Sequence, residues 1–318
     1  MCSISDPSAR LPATSLYTSA MEATACPHCA APRPPALLEC PRCGVIYAKA
    51  HPATSVPLRL EHLPPETPTW DGEADEAALE MRLRAWAVPA ALFVSWLLVK
   101  TGAGHFLVRT FLSMWVHETG HATTAWLCGF LAFPGPWLTP TAAERSPLFA
   151  LLISAALVAG CAYAWNCGRR GLATAAGALL AVQLCCTLLL RADTARTLIV
   201  FGGDAGCLVL GTLLMATMYA PAEGALRRGW LRWGFLVIGA ASFADAFEQW
   251  WASRTDPDRI PFGMNEGVGL SDPSVLFETY HWSAGTIVHR YVVLGCACLL
   301  ALAALYAWGL RRAHAEAR

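Results

Sequence analysis

In the segment Trp115-Val116-His117-Glu118-Thr119-Gly120-His121, two histidines stand four residues apart with a glutamate directly after the first, inside a long apolar run. Positions four apart share one face of a helix, so His117 and His121 can offer imidazole nitrogens to a single zinc ion. Glu118 then lies beside the metal, where a carboxylate can take a proton from water. Each charged side chain in the apolar part of a membrane costs about 2.5–3.5 kcal/mol or more. Three ionisable groups within so short a stretch therefore need a reason, and a metal supplies one.

Two histidines do not complete a catalytic zinc site, which normally takes three protein ligands and keeps a fourth position for water. Asp193, Asp204, Asp245 and Glu248 are the carboxylates within or beside the later apolar runs. Asp204 is the leading candidate. It sits in Phe201-Gly202-Gly203-Asp204-Ala205-Gly206, where three glycines permit local unwinding or the close approach of another helix. Asp245 is its rival, because a buried carboxylate also needs a partner. Asp193 lies between Arg191 and Arg196 at the end of a run, where a surface ion pair accounts for it.

A second constellation lies near the N-terminus. Cys26-Pro27-His28-Cys29 and Cys40-Pro41-Arg42-Cys43-Gly44 are matched knuckles, each able to present two thiolates to one metal. Four thiolates make a closed, structural tetrahedral zinc site. About thirty residues cannot bury a sufficient core, so the metal would supply the folding energy. Two disulfides or a redox-active pair explain the matched knuckles less simply. The thiols fit a reducing compartment for this end of the chain.

The elements that must position these residues follow from composition. Hydrophobic residues make up 55% of the 318 and charged residues 14%, a balance that points to an all-α polytopic membrane protein. A net charge of zero offers no basic field to recruit nucleic acid, so no nucleic-acid partner is expected. Residues 1–20 read as a disordered N-terminus without a cleavable signal peptide, 21–50 as the zinc ribbon and 51–84 as a Pro-, Glu- and Thr-rich linker. Residues 85–310 form the transmembrane domain, with apolar runs near 85–104, 106–131, 147–166, 172–190, 197–220, 230–251 and 291–309, hence six or seven transmembrane helices. Residues 252–290 make a turn-rich extramembrane loop, a lid, a substrate platform or a plain connector. Tryptophans such as Trp86, Trp96, Trp230, Trp233, Trp250 and Trp251 near the run ends read as interfacial anchors.

The stretch from Trp115 to His121, with a later Gly-Gly-Asp at 202–204, resembles the site-2 protease family of intramembrane zinc metallopeptidases. That family combines H-E-x-x-H on one transmembrane helix with an aspartate ligand on another. The resemblance implies a zinc-dependent endopeptidase acting on membrane-protein substrates, with His117, His121 and Asp204 as ligands and Glu118 as general base. The family's aspartate usually precedes its glycines, whereas here the glycines come first. The ribbon, ending Cys43-Gly44-Val45-Ile46-Tyr47-Ala48-Lys49, resembles small bacterial modules attached to membrane proteins. A bacterial inner-membrane location is therefore expected, with the ribbon in the cytoplasm and two zinc ions per chain, one catalytic and one structural. Two other readings stand beside it. In a membrane CAAX-type protease Glu248 would be the third ligand, and in an inactive adaptor the ribbon would bind a protein partner while the histidine helix did no chemistry.

Overall fold

The computed structural model describes residues 25, 26, 28, 29, 31, 32, 37–46, 72–220, 230–265 and 269–316. The expected disordered N-terminus and residues 51–71 of the expected linker lie outside them. The chain divides into two units, Met1–Asp71 and Gly72–Arg318.

In the first unit, two short turns each close on a pair of cysteines. Ala25 bridges to Pro32 and Glu39 to Ile46. The Cys26 N–H bonds the Ala31 carbonyl at 2.8 Å, and the Cys40 N–H bonds the Val45 carbonyl at 2.9 Å. Gly44, with φ of 71°, takes the left-handed conformation that turns the second knuckle back on itself.

The second unit is mostly helical. Helix α1 spans Gly72–Val99, so residues 72–84 begin a helix rather than ending a linker. Helix α2, Gly102–Val108, starts at Thr101, whose hydroxyl accepts from the Gly104 N–H. One π-helical turn, Arg109–Ser113, leads into α3, Met114–Leu127. Strands β1, Phe130–Ala132, and β2, Thr141–Arg145, pair as an antiparallel hairpin. Then come α4, Pro147–Asn166, α5, Arg170–Leu188, α6, Ala192–Ala216, and α7, Leu231–Ala252. A small hairpin of β3, Met264–Asn265, and β4, Gly269–Leu270, precedes α8, Asp272–Glu278, and α9, Ala284–Glu316. These two hairpins depart from a wholly α-helical expectation.

Among the described residues, five helical stretches are long and apolar enough to cross a membrane: Ala78–Val99, Pro147–Asn166, Arg170–Leu188, Ala192–Tyr219 and Ala284–Arg312. They mark an integral membrane protein. The other two runs counted in the sequence are also helical. One is broken by the π turn, and α7 carries Arg232, Asp245 and Glu248.

Helices α4 and α5 pair with each other and leave Leu148, Leu151, Leu152, Leu172 and Leu188 exposed, as a lipid-facing hairpin does. The core lies between α6, α7 and α9, where Trp250, Tyr291, Leu208, Met215 and Ile287 are fully buried. Trp250 and Phe201 both stack on Tyr291, with ring centroids 4.2 and 4.3 Å away. Trp250 is thus a core residue, not an interfacial anchor.

The closest approach is between α3 and α6, and small residues make it possible. A Cβ on Gly120 would stand 2.3 Å from the Gly202 carbonyl oxygen, and one on Gly206 would stand 2.4 Å from the Gly120 Cα. Glycines there bring the two backbones into contact, as small-residue seams do between membrane helices. The threonines of α3 satisfy their hydroxyls on their own helix: Thr119 donates to the Trp115 carbonyl and Thr124 to that of Gly120.

Candidate metal centre

His117 and His121 sit one helical turn apart on α3 and face α6. Gly203 makes room for them. A Cβ there would lie 2.6 Å from Nε2 of each imidazole, so the rings occupy the volume a side chain would fill. The His121 Nδ1 is 2.7 Å from the Ile199 carbonyl oxygen. The His117 Nδ1 is 2.9 Å from Oδ1 of Asp204. A carbonyl and a carboxylate can only accept, so both Nδ1 atoms carry hydrogen, and each ring, when neutral, offers a bare Nε2 lone pair.

Those two Nε2 atoms lie 3.2 Å apart. The third group beside them is Asp272, whose Oδ2 is 3.0 Å from the His117 Nε2 and 3.1 Å from that of His121. With both rings neutral, three lone pairs converge on one point, as the ligands of a cation do. The dimensions fit as well. Ligand bonds of 2.0–2.1 Å at tetrahedral angles give ligand–ligand edges of about 3.3 Å.

Asp272 comes from the segment between α7 and α9, outside every candidate span. Ser271 precedes α8 and Pro273 sits in its first turn, the arrangement that opens a helix. The Ser271 hydroxyl donates to the Pro261 carbonyl at 2.8 Å, and the Gly263 N–H donates to the Ser274 hydroxyl at 2.9 Å. These bonds and the buried Leu276 fix the start of α8 against the bundle. Burial pushes the Asp272 carboxyl upward, but when no cation is held the protonated His121 and His117 more than offset this and hold it well below the usual carboxylate range.

Asp204, the expected third ligand, meets His117 at the other ring nitrogen, where His117, Asp204 and Cys207 form a second cluster able to hold a cation. Its Oδ2 accepts from the Trp250 Nε1 at 2.9 Å, and Arg109 Nη1 lies 3.4 Å from Oδ1. Its rival Asp245 is also turned elsewhere: Arg109 Nη1 is 3.1 Å from its Oδ2, and His105 Nε2 is 3.1 Å from its Oδ1. Glu248 pairs with Lys100 and lines a separate recess with His105 and Arg259. Asp193 is exposed at the start of α6.

Glu118 is buried, and its Oε2 accepts a 2.7 Å hydrogen bond from Thr139, in the loop of the β1–β2 hairpin. The Trp126 indole N–H bonds the Ala132 carbonyl and ties that hairpin to α3. Glu118, His117, His121, Asp272 and Arg109 all line one cavity of about 800 Å³, with Trp137 and Leu138 on its wall.

In the first unit the four cysteines form their own cluster. Cys26 and Cys43 sulfurs are 3.6 Å apart, as are those of Cys29 and Cys40, and all four lie within 4.8 Å of one another. Zinc–sulfur bonds of 2.3 Å give tetrahedral edges of about 3.8 Å. The Val45 N–H favours the Cys43 thiolate, yet desolvation and the three neighbouring thiols push this group up to about 12. A cation would relieve that crowding.

Comparison of the chain with known protein families, with curated proteins and with solved structures gives no match.

Proposed function

We propose that this chain is an intramembrane zinc-dependent endopeptidase. The observation that carries the reading is the convergence of the His117 and His121 Nε2 atoms on Asp272 Oδ2, in the same cavity as the Glu118 carboxylate. Zinc held by His117, His121 and Asp272 would polarise a scissile carbonyl and bring the pKa of a bound water toward about 7. Glu118 takes a proton from the attacking water and passes it to the leaving nitrogen. Thr139 holds one oxygen of that carboxylate and leaves the other free to turn to the reacting atoms. Asp204 and the Ile199 carbonyl keep the two imidazoles in the tautomer that presents Nε2. A substrate helix hides its carbonyls in its own hydrogen bonds, so the bond to be cut must first unwind.

The site belongs to a unit of six or seven membrane-crossing helices in a bacterial inner membrane, with Asp272 reaching in from the segment after α7. The four cysteines bind a structural zinc in a ribbon that meets a protein partner. Free thiols suit a reducing compartment, so the ribbon is assigned to the cytoplasmic side as part of this proposal, although the arginines near the ends of the spans favour neither orientation. One-sided thiol labelling of intact cells checks that orientation.

The deciding experiment uses the purified full chain with a panel of fluorogenic transmembrane peptides in micelles. Cleavage that is abolished by Glu118→Gln, with bound zinc unchanged, is the expected result. A Glu118→Gln protein that cleaves as the wild type does would remove Glu118 from the mechanism, and a wild type without zinc in the membrane unit would remove the reading itself.

A further inference from the structure

A second recess, of about 700 Å³, opens where α6 and α9 begin. Arg196, Thr194 and Thr197 line it from α6, and His281, Trp282 and Arg290 from the approach to α9 and its first turns. Asp193 is the acidic residue on its wall, set against two guanidinium groups. The Arg290 guanidinium lies 4.0 Å over the Trp282 ring, which keeps it at the recess. Arg290 also borders a groove of about 520 Å³ lined by Phe201, Val293, Leu294 and Ala297. One cationic residue therefore joins a polar recess to an apolar furrow.

Depth along the two spans matches this change of character. Trp282 stands just before the first residue of α9, where an aromatic side chain marks the membrane interface. Phe201 is nine residues beyond Ala192, the start of α6, and Ala297 is thirteen beyond Ala284, the start of α9. At 1.5 Å per residue the groove runs about 14–20 Å past those starts, into the hydrocarbon.

We infer that the recess and groove together bind one anionic phospholipid, its phosphodiester between Arg196 and Arg290 and one acyl chain along Phe201, Val293 and Ala297. The balance of two guanidinium groups against one carboxylate favours a lipid with net negative charge over a zwitterionic one, whose own cation would face Arg290. Arg196 and Tyr280 line both this recess and the metal cavity, and Arg196 donates to the Ala143 carbonyl on β2. A lipid at Arg196 thus braces the hairpin that carries Thr139.

The test needs no substrate and is independent of the proposed chemistry. The full chain, purified in a neutral detergent, is offered dioleoyl phosphatidylglycerol, dioleoyl phosphatidylcholine or inorganic phosphate, with binding read by native mass spectrometry and stability by thermal melting. Phosphatidylglycerol is expected to stay bound and to raise the melting temperature more than phosphatidylcholine. Arg290→Gln is expected to weaken it roughly fivefold. Ala297→Trp fills the exposed groove about two helical turns beyond Arg290 and changes neither arginine, and is expected to lose the lipid while melting as the wild type does when no lipid is added. Equal binding of the two lipids, a wild-type response in Ala297→Trp, or full stabilisation by inorganic phosphate alone overturns the inference.

Discussion

Oδ1 of Asp204 stands 2.9 Å from Nδ1 of His117, at the ring nitrogen that does not face Asp272. On the proposed reading the two aspartates do different work on one imidazole: Asp272 would join its Nε2 in holding the metal, and Asp204 would fix its tautomer. Their variants should separate. Asp272→Asn is expected to lose zinc from the membrane unit, whereas Asp204→Asn keeps it with about 10- to 100-fold weaker affinity. Zinc per chain after dialysis against graded chelator measures both. Complete stripping of Asp204→Asn beside a zinc-loaded Asp272→Asn would make Asp204 the ligand.

What could be read from the chain beforehand was local. His117 and His121 are bound by helical spacing, the glycines at 202, 203 and 206 by their lack of side chains, and the cysteine pairs by short knuckles. Asp272 obeys no such rule. It lies outside the apolar runs, in a turn-rich loop where a carboxylate costs nothing to solvate and so gives no sign of a partner. The one available signal is Ser271-Asp272-Pro273, which opens a helix and so aims an acidic first turn at a neighbour. Trp250 shows the same limit. Its place near a run end suggests an anchor, while its indole hydrogen bond to Asp204 depends on how α6 and α7 pack.

Gly203 tests whether the imidazoles truly need its empty volume. A methyl group there would press on His117 Cε1 at 2.5 Å and on both Nε2 atoms at 2.6 Å. Gly203→Ala is expected to impair zinc binding and to destabilise the unit by about 1–3 kcal/mol. Gly171→Ala on α5, where a Cβ meets open space, is the control and should melt as the wild type does. Full zinc occupancy in Gly203→Ala would show that the α3–α6 seam yields.

Arg109 holds two buried carboxylates together, at 3.4 Å from Asp204 and 3.1 Å from Asp245. Removing its charge leaves both without their shared cation. Arg109→Met is expected to cost about 3 kcal/mol, the low end for a broken buried pair because Arg109 itself is partly exposed to the cavity. Asp245→Asn in the same background should recover part of the loss. Thermal melting of the single and double variants measures the coupling, and simple additivity would deny it.

The two metal positions should also be independent. The full chain is expected to carry about two zinc ions, and Cys40→Ser about one, with peptide cleavage retained because a closed four-thiolate site has no open position for a reactant. Metal analysis beside the peptide assay distinguishes the outcomes. Cleavage lost with Cys40→Ser, while the second zinc remains, would give the ribbon a part in catalysis.

Thr139 offers the narrowest check on Glu118. Its hydroxyl lies 2.7 Å from Oε2 and 2.9 Å from the backbone carbonyl of the same residue, so it can donate to one or the other. Hydrogen bonds to charged groups contribute about 1.5–3 kcal/mol. Replacing Thr139 by valine keeps the shape of the side chain and removes the donor, which leaves the carboxylate free to swing away from the reacting atoms. Thr139→Val is expected to lower kcat roughly tenfold with little change in KM, while zinc occupancy and melting temperature stay close to wild type. Thr139→Ser, which restores a hydroxyl, should recover most of the rate. A rise in KM or a loss of zinc instead of a fall in kcat would mean that the hairpin shapes the cavity and does not steer Glu118.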